Sequence, residues 1–319
     1  MLAIGACGAT AASVAEPTHD PDVRALLPDG ATQIVLVRPA ELYATVASGT
    51  ILRALASDAQ LEALRVQHGI DLRTLERAAY ASYESPISGG DVIILQGPFR
   101  AEVAVAEIAH RMIPVESREE APRSRAGGML RGTRIDAIAL GAHTLAIVIG
   151  PPTLTGRVIR AAEGSTPPAI AGAVQQALGR YAEPFVATRP VPFALPDDTP
   201  VGRLLSEEES MVIAVAPSDT AELHVTADLS GGFPPSAEEN FRQLVTSLAR
   251  STLGTALGLR TALGTLTVEA TPSRVLLHAT LDANEVAHGL EVLFRAEIAE
   301  MLVDAPIDGD PTPPSDMTN

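Results

Sequence analysis

The chain has 319 residues and a formal net charge of −16, with 46% hydrophobic and 19% charged residues. That balance describes one large or two medium folded domains and excludes a chain too polar to bury a core. Tryptophan is absent, aromatics make up 3%, and every basic residue is arginine. The core must therefore be aliphatic, and the acidic balance and lack of aromatic platforms count against nucleic acid and carbohydrate as partners.

The first feature in chain order is Cys7, the only cysteine, which rules out an internal disulfide or a thiolate metal cluster. It closes Ile4-Gly5-Ala6-Cys7: an aliphatic residue, two small residues, then the thiol. This stretch resembles the lipobox of bacterial lipoproteins. The resemblance implies a diacylglyceryl group on Cys7, usually joined by a third acyl chain, with the membrane as partner and the cell envelope as location. A secretory signal needs a basic region and about 7–15 apolar residues. Only Met1 to Ala6 precede the cysteine, so residues 1–7 read as a truncated signal whose start lies upstream. Taken as fortuitous, the same residues would be the small-residue N-terminus of a cytosolic protein.

Residues 8–29, small and polar with Pro17 and Pro21, read as a flexible tether. Residues 30–165 form a first α+β domain or half. Thr32 to Arg38 is a β-branched strand stopped by Pro39, and residues 40–83 carry a helical pattern in two or three pieces. Asp91 to Gln96 is a strand, followed by a helix over Ala101 to Ile113. Val115 to Arg125 is charged and loop-like. Two or three strands fill Met129 to Ile149, and a helix starts near Thr155.

Residues 166–205, rich in proline, read as a connection with a helical island near Gly172 to Tyr181. Residues 206–304 form a second α+β domain or half. Met211 to Ala216 and Glu222 to Leu229 form a hairpin, and Ser236-Ala237-Glu238-Glu239 has the form of a capping box. That box opens a helix with Phe241, Leu244, Val245 and Leu248 on one stripe. Strands over Leu266–Ala270 and Arg274–Leu281 precede a last helix, Asn284 to Val303. Residues 305–319 read as a disordered tail. Three short echoes recur in order between the halves: Ile34 to Pro39 with Val212 to Pro217, Leu72-Arg73-Thr74 with Leu259-Arg260-Thr261, and Glu102-Val103-Ala104 with Glu285-Val286-Ala287. A duplicated unit would produce them, and so would chance in an Ala/Val/Leu-rich chain.

Candidate chemistry is sparse. Glu107-Ile108-Ala109-His110 and Glu285-Val286-Ala287-His288 have the Glu-x-x-His spacing of di-iron bundles. His288, however, lies about 200° round the helix from Val286, away from the apolar stripe, so neither pair reads as a metal site. Gly150 to Arg157 sits where a phosphate loop would, yet its two prolines remove N–H donors; an ordinary strand-to-helix turn with a threonine cap is the plainer reading. Ser85, Ser88 and the histidines, including His143, His224 and His278, form no recognisable nucleophile motif. Glu119-Glu120 and Glu207 to Glu209 read as solvated faces. Asp304 to Asp310 matches no calcium loop.

The sequence thus predicts an α+β fold: mixed, largely antiparallel sheet with helices packed on one face, in two possibly related halves. The expected role is that of a non-catalytic, lipid-anchored envelope protein with a structural or binding function and no cofactor. The alternatives are a carrier or chaperone for an apolar ligand or client protein, and a hydrolase whose site the sequence does not reveal.

Overall fold

The computed structural model describes residues 20, 22–84, 89–114, 124–130, 132–164, 180–181, 184–189 and 208–303, without the side chains of Glu208 and 294–303. Twelve strands occupy Gln33–Val37 (β1), Arg77–Tyr83 (β2), Gly90–Gln96 (β3), Ile113–Pro114 (β4), Arg125–Leu130 (β5), Thr133–Ala139 (β6), Thr144–Ile149 (β7), Phe185–Arg189 (β8), Glu208–Pro217 (β9), Glu222–Gly231 (β10), Thr267–Thr271 (β11) and Arg274–Asp282 (β12). They form one continuous sheet in the order β11-β12-β10-β9-β8-β1-β2-β3-β7-β6-β5-β4. Every described pairing is antiparallel. The two-residue edge strand β4 ends on Pro114, whose missing N–H is tolerated at a sheet edge.

Among the described residues the α-helices are Pro39–Ala44 (α1), Val46–Leu55 (α2), Asp58–His68 (α3), Ala101–Ala109 (α4), Pro152–Ala162 (α5), Ala237–Arg250 (α6), Thr252–Ala256 (α7), Leu259–Ala262 (α8) and Ala283–Val303 (α9), beside the single helical residue Arg180. The fold is α+β, as the sequence predicts. On one face α4 packs its Ala101, Ala104 and Val105 onto Ala137 and Leu145, and α6 packs Phe241 onto Val268, Val275 and Leu277. On the same face α2 and α9 meet the sheet through Ala47, Ala283 and Leu223. The opposite face belongs to α5 and to an N-terminal strap, Asp22–Ala31, so the helices are not all on one side. Val23, Leu26 and Leu27 of the strap and Leu154 and Val158 of α5 cover Ile34, Ala81, Val92, Ile94 and Val148.

Several local expectations are corrected. The tether was expected to run to residue 29, but from Asp22 the chain folds into a 3-10 turn, Val23–Leu26, with Val23 and Leu26 buried. Its apolar residues are too few to show a period, yet they satisfy a waiting sheet face. The helical pattern to residue 83 gives way to β2. Ala79, Ala81 and Tyr83 are buried alternately there, and strand pairing overrides the helix preference of alanine. The proline-rich connection carries β8, framed by Pro184 and Pro190 and paired to both β1 and β9. Most of the helical island lies outside the described residues. The helix expected to reach Ile113 stops at Ala109.

Ser236 makes no capping bond. Its ψ of 5° turns the hydroxyl from the helix N–H groups, and it accepts from Asn240 instead. The capping box in the fold is Ser57 with Gln60, at the start of α3. The echoed segments occupy comparable places in chain order, since both Leu72–Thr74 and Leu259–Ala262 precede a hairpin and a helix. The strand orders differ: β1 pairs with the first strand of its hairpin, β2, whereas its echo β9 pairs with β8 and β10 and with neither strand of the β11–β12 hairpin.

Candidate functional site

Pairing register places one transverse row of residues on the strap face: Asp136, Val148, Val92, Ala81, Ile34, Thr188, Val212, Asp228. Every member is buried. The row is thus apolar along its length apart from Thr188, and ends in a carboxylate on each side. Those carboxylates lie seven strand spacings apart, about 34 Å measured along the sheet.

Asp136 is 0% exposed. Arg125 of β5 and Arg134 of β6 approach its Oδ1 at 3.2 and 3.4 Å, and Thr155 of α5 donates to Oδ2 at 2.7 Å. Gly127, its cross-strand neighbour, is required here, because a Cβ at that position would lie 2.3 Å from Oδ1. At the other end Arg274 of β12 holds Asp228 with Nε to Oδ1 at 2.7 Å and Nη2 to Oδ2 at 2.9 Å. Tyr181 donates to Oδ2 at 2.9 Å, and Arg180 stands at 3.4 Å.

Each carboxylate therefore joins a covering segment to the sheet: α5 at Asp136, residues 180–181 at Asp228. Buried charges persist when paired and hydrogen-bonded in this way. Both carboxylates are engaged by arginines and a hydroxyl on neighbouring elements, and both read as clamps.

Burial works to raise the pKa of Asp228. The Arg274 and Tyr181 hydrogen bonds and the arginine charges outweigh it and hold the carboxyl below its ordinary value. A depressed folded value means the associated stability is present above the unfolded carboxylate value of about 3.9, and is lost as pH falls through the folded one. Urea unfolding between pH 5 and 2 should therefore show a shallower acid loss for Asp228→Asn than for the parent chain. An unchanged slope would remove Asp228 from the acid response.

The strap is fixed at both ends. Asp20 Oδ2 accepts the His143 backbone N–H at 3.1 Å, in the turn between β6 and β7. A Cβ at Gly141 in that turn would fall 2.1 Å from Asp20 Oδ1, so a side chain there would have to displace the Asp20 carboxylate. At the far end Tyr83 donates to the Pro28 carbonyl at 2.9 Å, Arg157 of α5 bonds the Asp29 carbonyl, and its guanidinium lies 5.1 Å from the Tyr83 ring centroid. Burial pushes the Tyr83 phenol up, which keeps it a donor.

The sequence-derived candidates are scattered. Cys7, Ser85, Ser88, Glu119-Glu120, Glu207 and Asp304 to Asp310 lie outside the described residues. Glu107, His110, Glu285 and His288 are exposed on α4 and α9. Asp282 caps α9 through the Asn284 and Glu285 N–H groups, while the Glu285 carboxylate accepts from Thr261 at 2.7 Å. In the Gly150 to Arg157 turn the cap position is Pro151, with no side-chain bond; Thr155 faces the sheet and serves Asp136. His143 Nδ1 lies 2.8 Å from the Phe99 carbonyl. His224 and His278 sit on the strap face of β10 and β12, bonded across to Thr280 and Thr226 at 3.3 and 2.9 Å. Among the described residues no group of three or more His, Cys, Asp or Glu is placed to hold a metal ion.

The clamps escaped the sequence reading, although a signal was present. Asp136 and Asp228 each interrupt an apolar strand run, Ile135-Asp136-Ala137-Ile138 and Ala227-Asp228-Leu229, and a carboxylate there must be paired if buried.

No family model matches the chain, and neither does any curated protein. Among solved structures it is similar to TP0453 in crystal form III, with a TM-score of 0.52 and 8% identity, over 86% of this chain and 99% of that one. The chain shares the fold of TP0453. Crystal forms I and IV of TP0453 align over 86% and 85% of this chain and 98% and 96% of theirs, with 10% and 8% identity and TM-scores of 0.49 and 0.48. At this identity the likeness to TP0453 is one of overall fold alone.

Proposed function

We propose that the protein is held on an envelope membrane by a lipid on Cys7 and acts there in a non-catalytic, structural or binding role. The observation that carries the reading is Ile4-Gly5-Ala6-Cys7 standing shortly before the strap, where the chain enters the fold. Stable attachment takes more than one acyl chain, and a diacylglyceryl cysteine supplies two. Among the described residues no helix is long and apolar enough to cross a bilayer.

The polar groups favour a structural role. Asp136 and Asp228 are consumed by arginines, and His143, His224 and His278 bond to a carbonyl or to threonines. A general base needs reach to a substrate proton, and each of these side chains already holds a protein partner. An envelope protein partner or an apolar ligand would then be the object of binding.

The test is Cys7→Ser expressed from the full gene and followed by detergent phase partition. Loss of the anchor should move the protein from the detergent to the aqueous phase by more than about tenfold, because each buried methylene contributes about 0.8 kcal/mol. An unchanged partition would defeat the proposal.

A further inference from the structure

We infer that His224 and His278 form a two-histidine site for a borderline divalent cation, Cu²⁺ or Zn²⁺, on the strap face of β10 and β12. The site does not depend on the anchor at Cys7.

Strand register builds it. His224-Val225-Thr226 on β10 and His278-Ala279-Thr280 on β12 are the same His-x-Thr triplet on adjacent antiparallel strands. Pairing sets His224 against Thr280 and Thr226 against His278, so a local two-fold relation places both imidazoles on one diagonal. Period-two alternation keeps the four side chains on one face. Diagonal Cβ atoms across an antiparallel pair lie within about 8 Å, in reach of long side chains. Each ring leans over the strand gap toward the opposite threonine. His224 Nδ1 lies 3.3 Å from Thr280 Oγ1, and His278 Nδ1 lies 2.9 Å from Thr226 Oγ1.

Both of those bonds fall on Nδ1, and among the described residues neither Nε2 has a hydrogen-bond partner. Metal binding selects the tautomer that donates Nδ1–H to threonine and leaves the lone pair on Nε2. A hydrogen bond on the second nitrogen is also what orients imidazole ligands in metal sites. Imidazole nitrogen binds Zn²⁺ at about 2.0–2.1 Å, and Cu²⁺ stands highest in the affinity order for such donors. Two protein ligands leave the remaining positions to water, and His224 is exposed, so the ion enters from solvent.

The surrounding charge favours a cation. Glu222, one same-face step from His224, and Glu269, on the diagonal from His278, are both exposed. Carboxylates so placed raise the local concentration of cations. Arg274, further along the same face of β12, is committed to Asp228.

The test is calorimetric titration of Cu²⁺ into the folded full chain, with electron paramagnetic resonance of the bound ion. Cys7 is alkylated in every sample so that no thiol competes. The parent should bind Cu²⁺ with two equatorial imidazole nitrogens in the spectrum. His224→Ala and His278→Ala should each weaken the site by at least about tenfold, the lower end of what even an outer-shell change costs, and reduce the spectrum to one nitrogen. His288→Ala, exposed on α9, should leave both readouts unchanged, and an excess of Mg²⁺, an oxygen-seeking ion, should not displace the Cu²⁺. His224→Ala removes an exposed ring and decides the question if the half-buried His278→Ala does not fold. A parent spectrum without two nitrogens, an affinity that His224→Ala leaves unchanged, or displacement by Mg²⁺ would overturn the site.

Discussion

Asp136→Ala should destabilise the fold by about 3–5 kcal/mol, the range for removing one partner of a buried ion pair. The carboxylate is fully enclosed, while the Arg125 and Arg134 side chains are only 15% and 26% exposed. Its loss leaves two guanidinium groups facing each other with no anion between them, and leaves the buried Thr155 hydroxyl without its acceptor. Each kcal/mol lowers the melting temperature of a domain this large by about 2–4 °C, so thermal unfolding should shift down by roughly 6–20 °C. Arg125→Ala, which leaves Arg134 on the carboxylate, should shift it less. A shift below about 2 °C for Asp136→Ala would show that the clamp contributes nothing the sheet does not already supply.

Leu27→Ala is expected to cost about 2–5 kcal/mol, the usual range for truncating a buried leucine. Leu27 is fully buried and belongs to the cluster that also holds Ile34, Val92 and Leu154. Substitution leaves a void between strap and sheet that the backbone closes only in part. The strap has few other apolar residues, so local release should accompany the global loss. Trypsin cleavage after Arg24, whose side chain is half exposed, should accelerate more than cleavage after Arg250, at the end of α6. Equal acceleration at both sites would mean that the strap unfolds only with the whole domain.

The antiparallel hairpins β6–β7, β9–β10 and β11–β12 were legible because alternating or β-branched runs were separated by short turns. The strand β2 was hidden by its alanines, which give no period-two contrast and favour helix in isolation. The strap was hidden because three apolar residues near Pro21 and Pro28 resemble a linker until the sheet face they cover is known. The short strand β8 was masked by its flanking prolines, which here mark its ends rather than its absence.

The continuity of the sheet through β8 is a long-range property. No local pattern reports that residues near 35 and 187 are neighbours. The clamps follow the same rule: in the sequence Asp136 only interrupts an apolar run, and its meaning depends on Arg125 and Thr155 arriving from separate elements. The Glu-x-x-His pairs show the converse. The helical wheel placed His288 away from the apolar stripe, and both histidines are exposed in the fold.

The account turns on Cys7 as the point of attachment to a fold whose N-terminal strap is fixed in place. Intact mass of the detergent-extracted native protein tests it most directly. A chain that begins at Cys7 and carries the added mass of a diacylglyceryl group is the predicted result. An unmodified Cys7 with the preceding residues still attached would contradict it.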